Sequence, residues 1–152
     1  MKTRRYHWLA LPILLSGCMP AEEPYTPVAN LPELMSTVVD PAADFYWDAV
    51  GWIIDSTGTE FIRPQSPEAW DSVRNAAFVV AESGNLMLMQ GRAIDEEAFI
   101  AYAQAMITVG QRAIEAAEVR DEMGVFDVGA DMYAVCTGCH STYALETLRP
   151  GA

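Results

Sequence analysis

Two thiols and an imidazole, in the run Cys136-Thr137-Gly138-Cys139-His140, stand near the C-terminal end of this 152-residue chain. On a helix, positions i, i+3 and i+4 project from one face, so Cys136, Cys139 and His140 form a single cluster. A C-x-x-C-H run of this kind attaches a c-type haem: the thiols bond the vinyl groups and the imidazole reaches the iron. Two other chemistries compete. A thiol redox pair normally precedes a helix in a βαβ setting, and the surrounding sequence offers none. A structural zinc site requires a further Cys or His. The haem reading therefore leads, and it demands a fold in which a C-terminal helix presents one face to a large, flat, apolar group.

The remaining cysteine and histidine lie at the other end of the chain. Met1-Lys2-Thr3-Arg4-Arg5 is positively charged, Leu9 to Leu15 is apolar, and Leu15-Ser16-Gly17-Cys18 has the small residues of a cleavage site. The apolar run is too short to span a bilayer, so residues 1–17 read as a signal peptide. Leu15-Ser16-Gly17-Cys18 resembles a bacterial lipobox. That resemblance implies lipidation at Cys18, a mature chain that starts there, and a periplasmic location. By the same resemblance, Met19 favours the outer membrane; cleavage nearby with Cys18 incidental is the alternative. Removing 1–17 takes away His7 and leaves His140 as the sole histidine. Bis-histidine ligation within one chain is then excluded.

The same cleavage sharpens the charge. Six arginines and no lysine remain against 21 acidic residues, a formal charge of −15. Nucleic acid and anionic lipid faces are disfavoured as partners by such a field. A basic redox partner in the periplasm is favoured, and a generally acidic surface serving solubility is the competing explanation.

Residues 18–30 hold Pro20, Pro24 and Pro27 and read as a tether. Residues 31–149 then carry four helical patterns. The first runs from about Leu31 to Asp55, with apolar positions Met35, Val38/Val39, Ala42, Phe45/Tyr46, Ala49 and Trp52/Ile53. Asp40-Pro41 interrupts it: proline removes a backbone donor, so a kink or two stacked pieces are expected, with Asp40 as an N-cap ahead of Pro41 the alternative. Ser56 to Gln65 reads as loop. Ser66-Pro67-Glu68 opens the second helix with a cap signal; its stripe is Trp70, Val73, Ala77, Val80/Ala81, Gly84 and Met87/Leu88, with Gly91 its expected stop and Gly84-Asn85 an earlier alternative end. Asp95 caps a third helix reaching Val119, with Phe99, Tyr102/Ala103, Met106, Val109, Ala113 and Ala116/Ala117 on one face. The fourth spans Phe126 to Leu148, ahead of Pro150-Gly151, with Gly124 in the preceding connection. No segment shows convincing strand alternation. Four amphipathic helices with short connections predict an all-α antiparallel four-helix bundle.

A helical domain with Cys136-Thr137-Gly138-Cys139-His140-Ser141-Thr142-Tyr143 on its last helix resembles the cytochrome c′ class and its low-spin His/Met relatives. The resemblance covers about residues 31–148. It implies one covalent haem c per chain, a distal group supplied by the first helix, and dimerisation through the first two helices as an open option. The family's Leu-Met near the start of that helix is matched by Leu34-Met35, which makes Met35 the candidate sixth ligand beside His140. Two features depart from the family pattern: Ala144 follows Tyr143 where a basic residue is common, and Asp40-Pro41 breaks the first helix.

With no second histidine and no lysine, a methionine is the best strong neutral donor for a six-coordinate iron, although methionine is also a common core filler. Met35 is thus either ligand or lid. A His/Met iron is saturated and suits single-electron transfer, not an enzyme's chemistry. A five-coordinate iron in an apolar pocket binds small gases such as nitric oxide instead. Phe45 and Trp52 are further distal-pocket candidates, and Arg74 and Arg92 candidate partners of haem propionates. A lipoprotein with a Cys136–Cys139 disulfide or redox pair is the remaining reading. Replacing Cys18 by alanine is expected to release the mature protein from the membrane fraction into the soluble periplasmic fraction, read by immunoblot of the two fractions.

Overall fold

The computed structural model describes residues 24–94 and 97–144. The signal peptide, Cys18, Asp95, Leu148 and Pro150-Gly151 all lie outside these residues.

Helix α1 (Leu31–Leu34) begins with a capping box: the Asn30 side chain accepts from Glu33 N at 2.9 Å, and Glu33 Oε2 accepts from Asn30 N at 3.0 Å. It runs into a π-helical turn, Met35–Val39, and on into α2 (Asp40–Trp47). Pro41 explains the turn. It has no N–H and its ring crowds the carbonyl four residues back, and widening one turn relieves that crowding. The hydroxyls of Ser36 and Thr37 donate to the Glu33 carbonyl at the start of the wide turn. The expected kink is therefore a π turn within one continuous helical stretch, and Asp40 is not a cap.

That stretch stops at Trp47, not Asp55. Gly51–Asp55 and Gly58–Ile62 form an antiparallel hairpin, β1 and β2, in register from Gly51↔Ile62 to Asp55↔Gly58. Asp55 Oδ1 accepts from the Thr57 and Gly58 amides at 2.7 and 3.2 Å and from the Thr57 hydroxyl at 2.6 Å. Gly58, at φ 149°, takes a conformation that L side chains rarely adopt. This turn chemistry overrides the helical spacing of Ala49 and Trp52/Ile53, so both the longer helix and the loop over Ser56–Gln65 are corrected. Trp52 pairs across the strands with Phe61, ring centroids 5.0 Å apart, and meets Phe126 edge-on at 5.1 Å.

Helix α3 (Pro67–Met87) starts where expected, with Ser66 Oγ accepting from Ala69 N at 3.2 Å. It ends a turn before Gly91, which lies in the following connection at φ 87°. Helix α4 spans Glu97–Glu118. Helix α5 (Glu122–Tyr143) begins earlier than Phe126, because Asp121 caps it by accepting from Gly124 N at 3.0 Å. Gly124 is thus in the first turn of α5 and not in a connection. Trp70, Val73, Ala77, Val80 and Met87 of the α3 stripe, and Phe99, Ala103, Met106, Val109 and Ala113 of the α4 stripe, are buried in one core, while Leu88 and Tyr102 are only partly buried.

The helices pack in sequence, α3 on α4 and α4 on α5, and the first stretch closes against α3 and α5. Contacts fix the directions. Arg74 near the start of α3 faces Glu118 at the end of α4, and Arg112 bonds Asp131 at 2.8 Å. Tyr102 near the start of α4 meets Tyr143 at the end of α5. Trp47 Nε1 donates to Gly129 O at 2.9 Å, while Met35, a helix-length away, faces the end of α5. Neighbours therefore run in opposite directions: four helical stretches pack in sequence, and the all-α expectation, with no strand, is corrected to a mostly helical fold that includes a two-stranded hairpin. Among the described residues no helix is long and apolar enough to cross a membrane.

Small residues bring α3 and α4 close. A Cβ on Gly110 would lie 2.7 Å from both Cα and Cβ of Ala81. Alanine there gains about 0.5–1 kcal/mol of helix preference but overpacks a backbone contact, which costs about 1–3 kcal/mol. Gly110→Ala is therefore expected to lower stability by about 1–2 kcal/mol net, measured by denaturant unfolding.

Candidate cofactor-binding site

The C-terminal half of α5 places Cys136, Cys139 and His140 on one face, as their spacing requires. That face lines a cleft between the first helical stretch and the facing ends of α3 and α4. An inner lobe of about 70 Å3 touches all three residues together with Met35, Val39 and Ala43. An outer lobe of about 650 Å3 keeps Cys139, His140 and Met35 and extends past Leu31, Phe99 and Tyr143. The four site residues expected from the sequence within the described chain, Cys136, Cys139, His140 and Met35, thus share one cleft. The fifth, Cys18, lies outside the described residues.

Neighbouring elements hold this face in place. Tyr102 packs where Gly138 has no side chain; a Cβ there would come within 3.1 Å of the Tyr102 ring. Tyr143 sits edge-on to Phe99 at 5.5 Å and to Tyr102 at 6.4 Å, joining the last turn of α5 to the first turns of α4. Ser141 and Thr142 hydroxyls donate to the Gly138 carbonyl at 2.7 and 3.3 Å.

Both thiols are free and partly buried. Burial pushes Cys136 up to about 11, with the neighbouring Cys139 and the Asp40 carboxylate acting in the same direction. Cys139 is raised as well, by burial. They are protonated thiols at neutral pH, inert as nucleophiles until something activates them. Trp47, at the inner end of the cleft, is held by its bond to Gly129 O. Tyr46, beside it in the chain, is buried in the bundle interior and its phenol is pushed up by that burial.

Several sequence candidates sit elsewhere. Phe45 is half exposed and does not line the cleft. Trp52 belongs to the hairpin cluster with Phe61 and Phe126. Arg74 faces Glu118 at 3.9 Å, at the opposite end of the bundle. Arg92 is buried but lines neither lobe: its Nε donates to Ala29 O at 2.8 Å and its Nη1 to Leu86 O at 3.2 Å. It fastens the chain ahead of α1 to the α3–α4 connection, and Tyr25 helps by accepting from Gln90 N at 3.0 Å. Within the expected tether, Tyr25 and Ala29 are therefore hydrogen-bonded to the domain, while Val28 between them is exposed.

Sequence reasoning missed Met87, Asp40 and Tyr102 as cleft residues. Met87 and Tyr102 were visible only as members of core stripes, and Asp40 only as the residue before a proline. Neither pattern says what lies opposite. Comparison with known proteins adds nothing further: no family model matches the chain, no curated protein does, and no solved structure does.

The raised Cys136 pKa has a defined consequence for the chain with free thiols. Folding raises the value, so this thiol stabilises the fold below pH 9 and ceases to do so as the pH climbs from 9 through about 11. Below pH 9 the thiolate fraction falls roughly 100-fold relative to an ordinary thiol. Alkylation of Cys136 at pH 8, followed by peptide mass mapping, is expected to be slower than in the denatured chain by about that factor.

Proposed function

We propose that this chain is an exported monohaem c-type cytochrome that carries single electrons. In this reading haem c is joined to Cys136 and Cys139, His140 is the proximal ligand and Met35 the distal one. The observation that carries it is the shared cleft: two thiols and an imidazole on one helix face, with a thioether across an apolar space from them.

The donor set fits a haem. The thiols are spaced for two vinyl groups on one porphyrin edge. The outer lobe, about 650 Å3, lies within the roughly 300–1,000 Å3 typical of small-molecule sites. Apolar side chains from all four helical stretches surround it, as an apolar macrocycle needs. Among the described residues no group of three or more His, Cys, Asp or Glu side chains is placed to hold a bare metal ion.

The bound group supplies a one-electron iron couple. The protein's part is to bind and tune it. Cys136 and Cys139 would anchor it, and His140 would ligate its iron. Met35 would supply a thioether to the same iron, keeping out exogenous ligands and favouring the reduced state. Close packing of Tyr102 on Gly138 and Tyr143 fixes the last turns of α5 that carry Cys139 and His140. Held in this way, the group would pass single electrons between partner proteins, and the part of Cys136, Cys139, His140 and Met35 would be to hold it.

The surroundings follow from the sequence reading: export, anchoring through lipidated Cys18 to the outer membrane, and transfer to a basic periplasmic protein. Protein matured with a haem-attachment system is expected to carry one covalent haem by mass. Its ferric spectrum is expected to be low-spin with a methionine-to-iron charge-transfer band. A high-spin spectrum without that band, combined with immediate carbon monoxide binding in the ferrous state, would transfer the assignment to small-gas binding. Absence of covalent haem would leave the thiol readings.

A further inference from the structure

Among the described residues one methionine besides Met35 meets the same positional requirement. Six methionines fall among the described residues: Met35, Met87, Met89, Met106, Met123 and Met132. Met123 is half exposed near the start of α5, and Met132 is buried in the core without lining either lobe. The Met89 sulfur receives Arg92 Nη1 at 3.5 Å. Met106 reaches the inner lobe only. Met35 and Met87 alone line both lobes, each time with Cys139 and His140.

We propose that Met87 is a second axial thioether, sharing the sixth coordination position with Met35. The inference rests on the haem reading above. Met87 is the last residue of α3 and is almost fully buried, 2 % exposed, so its side chain is committed to the interior. Three rotatable bonds let a methionine sulfur sweep a wide arc without moving the backbone. Met35 belongs to the wide π turn and is only partly buried. The two thioethers come from different helical stretches, so each is positioned independently of the other. No histidine or lysine is available among the described residues beyond His140, and a thioether for thioether exchange keeps ligand field and charge the same.

The test uses holoprotein in four forms: wild type, Met35→Leu, Met87→Leu and the double variant. Leucine preserves bulk and removes the donor. Covalent haem mass and far-ultraviolet circular dichroism show that each form is assembled and folded. Expected for Met35→Leu is a low-spin ferric spectrum that keeps the methionine-to-iron band, with slow carbon monoxide uptake. The double variant is expected to lose the band, turn high-spin and take up carbon monoxide at least tenfold faster. A high-spin Met35→Leu would overturn the proposal while leaving Met35 as sole ligand and the proposed function intact. Retention of the band in the double variant would overturn it too, by pointing to a different donor. A wild type that is itself high-spin would defeat the His/Met reading, and the Met87 assignment with it.

Discussion

The missing amide hydrogen of Pro41 shapes the site more than any single contact. An α-helix advances about 40° beyond a full turn every four residues, so a face sampled at that interval drifts out of alignment. Met35, Val39, Ala43 and Trp47 are spaced by four, yet all four line the inner lobe opposite the α5 motif. The π turn at Met35–Val39 takes up part of that drift. The residue that interrupts the helix is therefore what lets one side of it face α5 along its length.

Once that face is set, the rest of the bundle closes around it from two sides. Gly84 and Gly110 let α3 and α4 approach to backbone distance, with Ala103, Ile107 and Ala81 filling the places their side chains would occupy. This brings Met87 at the end of α3 and Tyr102 near the start of α4 to the same end of the molecule as Cys139 and His140. The other end is finished by the hairpin, whose Trp52 seals against Phe61 and Phe126. Cleft and hairpin thus occupy opposite ends, and the aromatics divide between them: Phe99, Tyr102 and Tyr143 at one, Trp52, Phe61 and Phe126 at the other.

Charge is arranged consistently with a site governed by apolar packing. Arg63, Arg74 and Arg112 are engaged with Glu122, Glu118 and Asp131 on exposed flanks, where such pairs add little stability. Arg92 is the exception, since it is buried and its donors go to backbone carbonyls of Ala29 and Leu86. It fixes where the chain enters the domain, beside Leu31 and Pro32 at the mouth of the outer lobe. Asp40 is the one acidic side chain that lines the lobes among the described residues, and its effect reaches Cys136.

Local chemistry made much of this legible in the chain itself. The cap at Ser66, the stripes of α3 and α4, and the common face of Cys136, Cys139 and His140 depend only on residues within a few positions of one another. Those readings carried through to the structure. The hairpin did not, because Ala49, Trp52 and Ile53 mimic helical spacing, and only the Asp55–Gly58 turn and the pairing of Trp52 with Phe61 break the tie. The convergence of Met87, Asp40 and Tyr102 on the motif, and the diversion of Arg92 to backbone carbonyls, were likewise settled by tertiary packing. A helical repeat states which side of a helix is buried, but the choice of what it is buried against belongs to helices distant in sequence. The motif's geometry was determined by the sequence alone; the identity of the groups facing it was decided by how four helices, one of them widened at Pro41, close on each other.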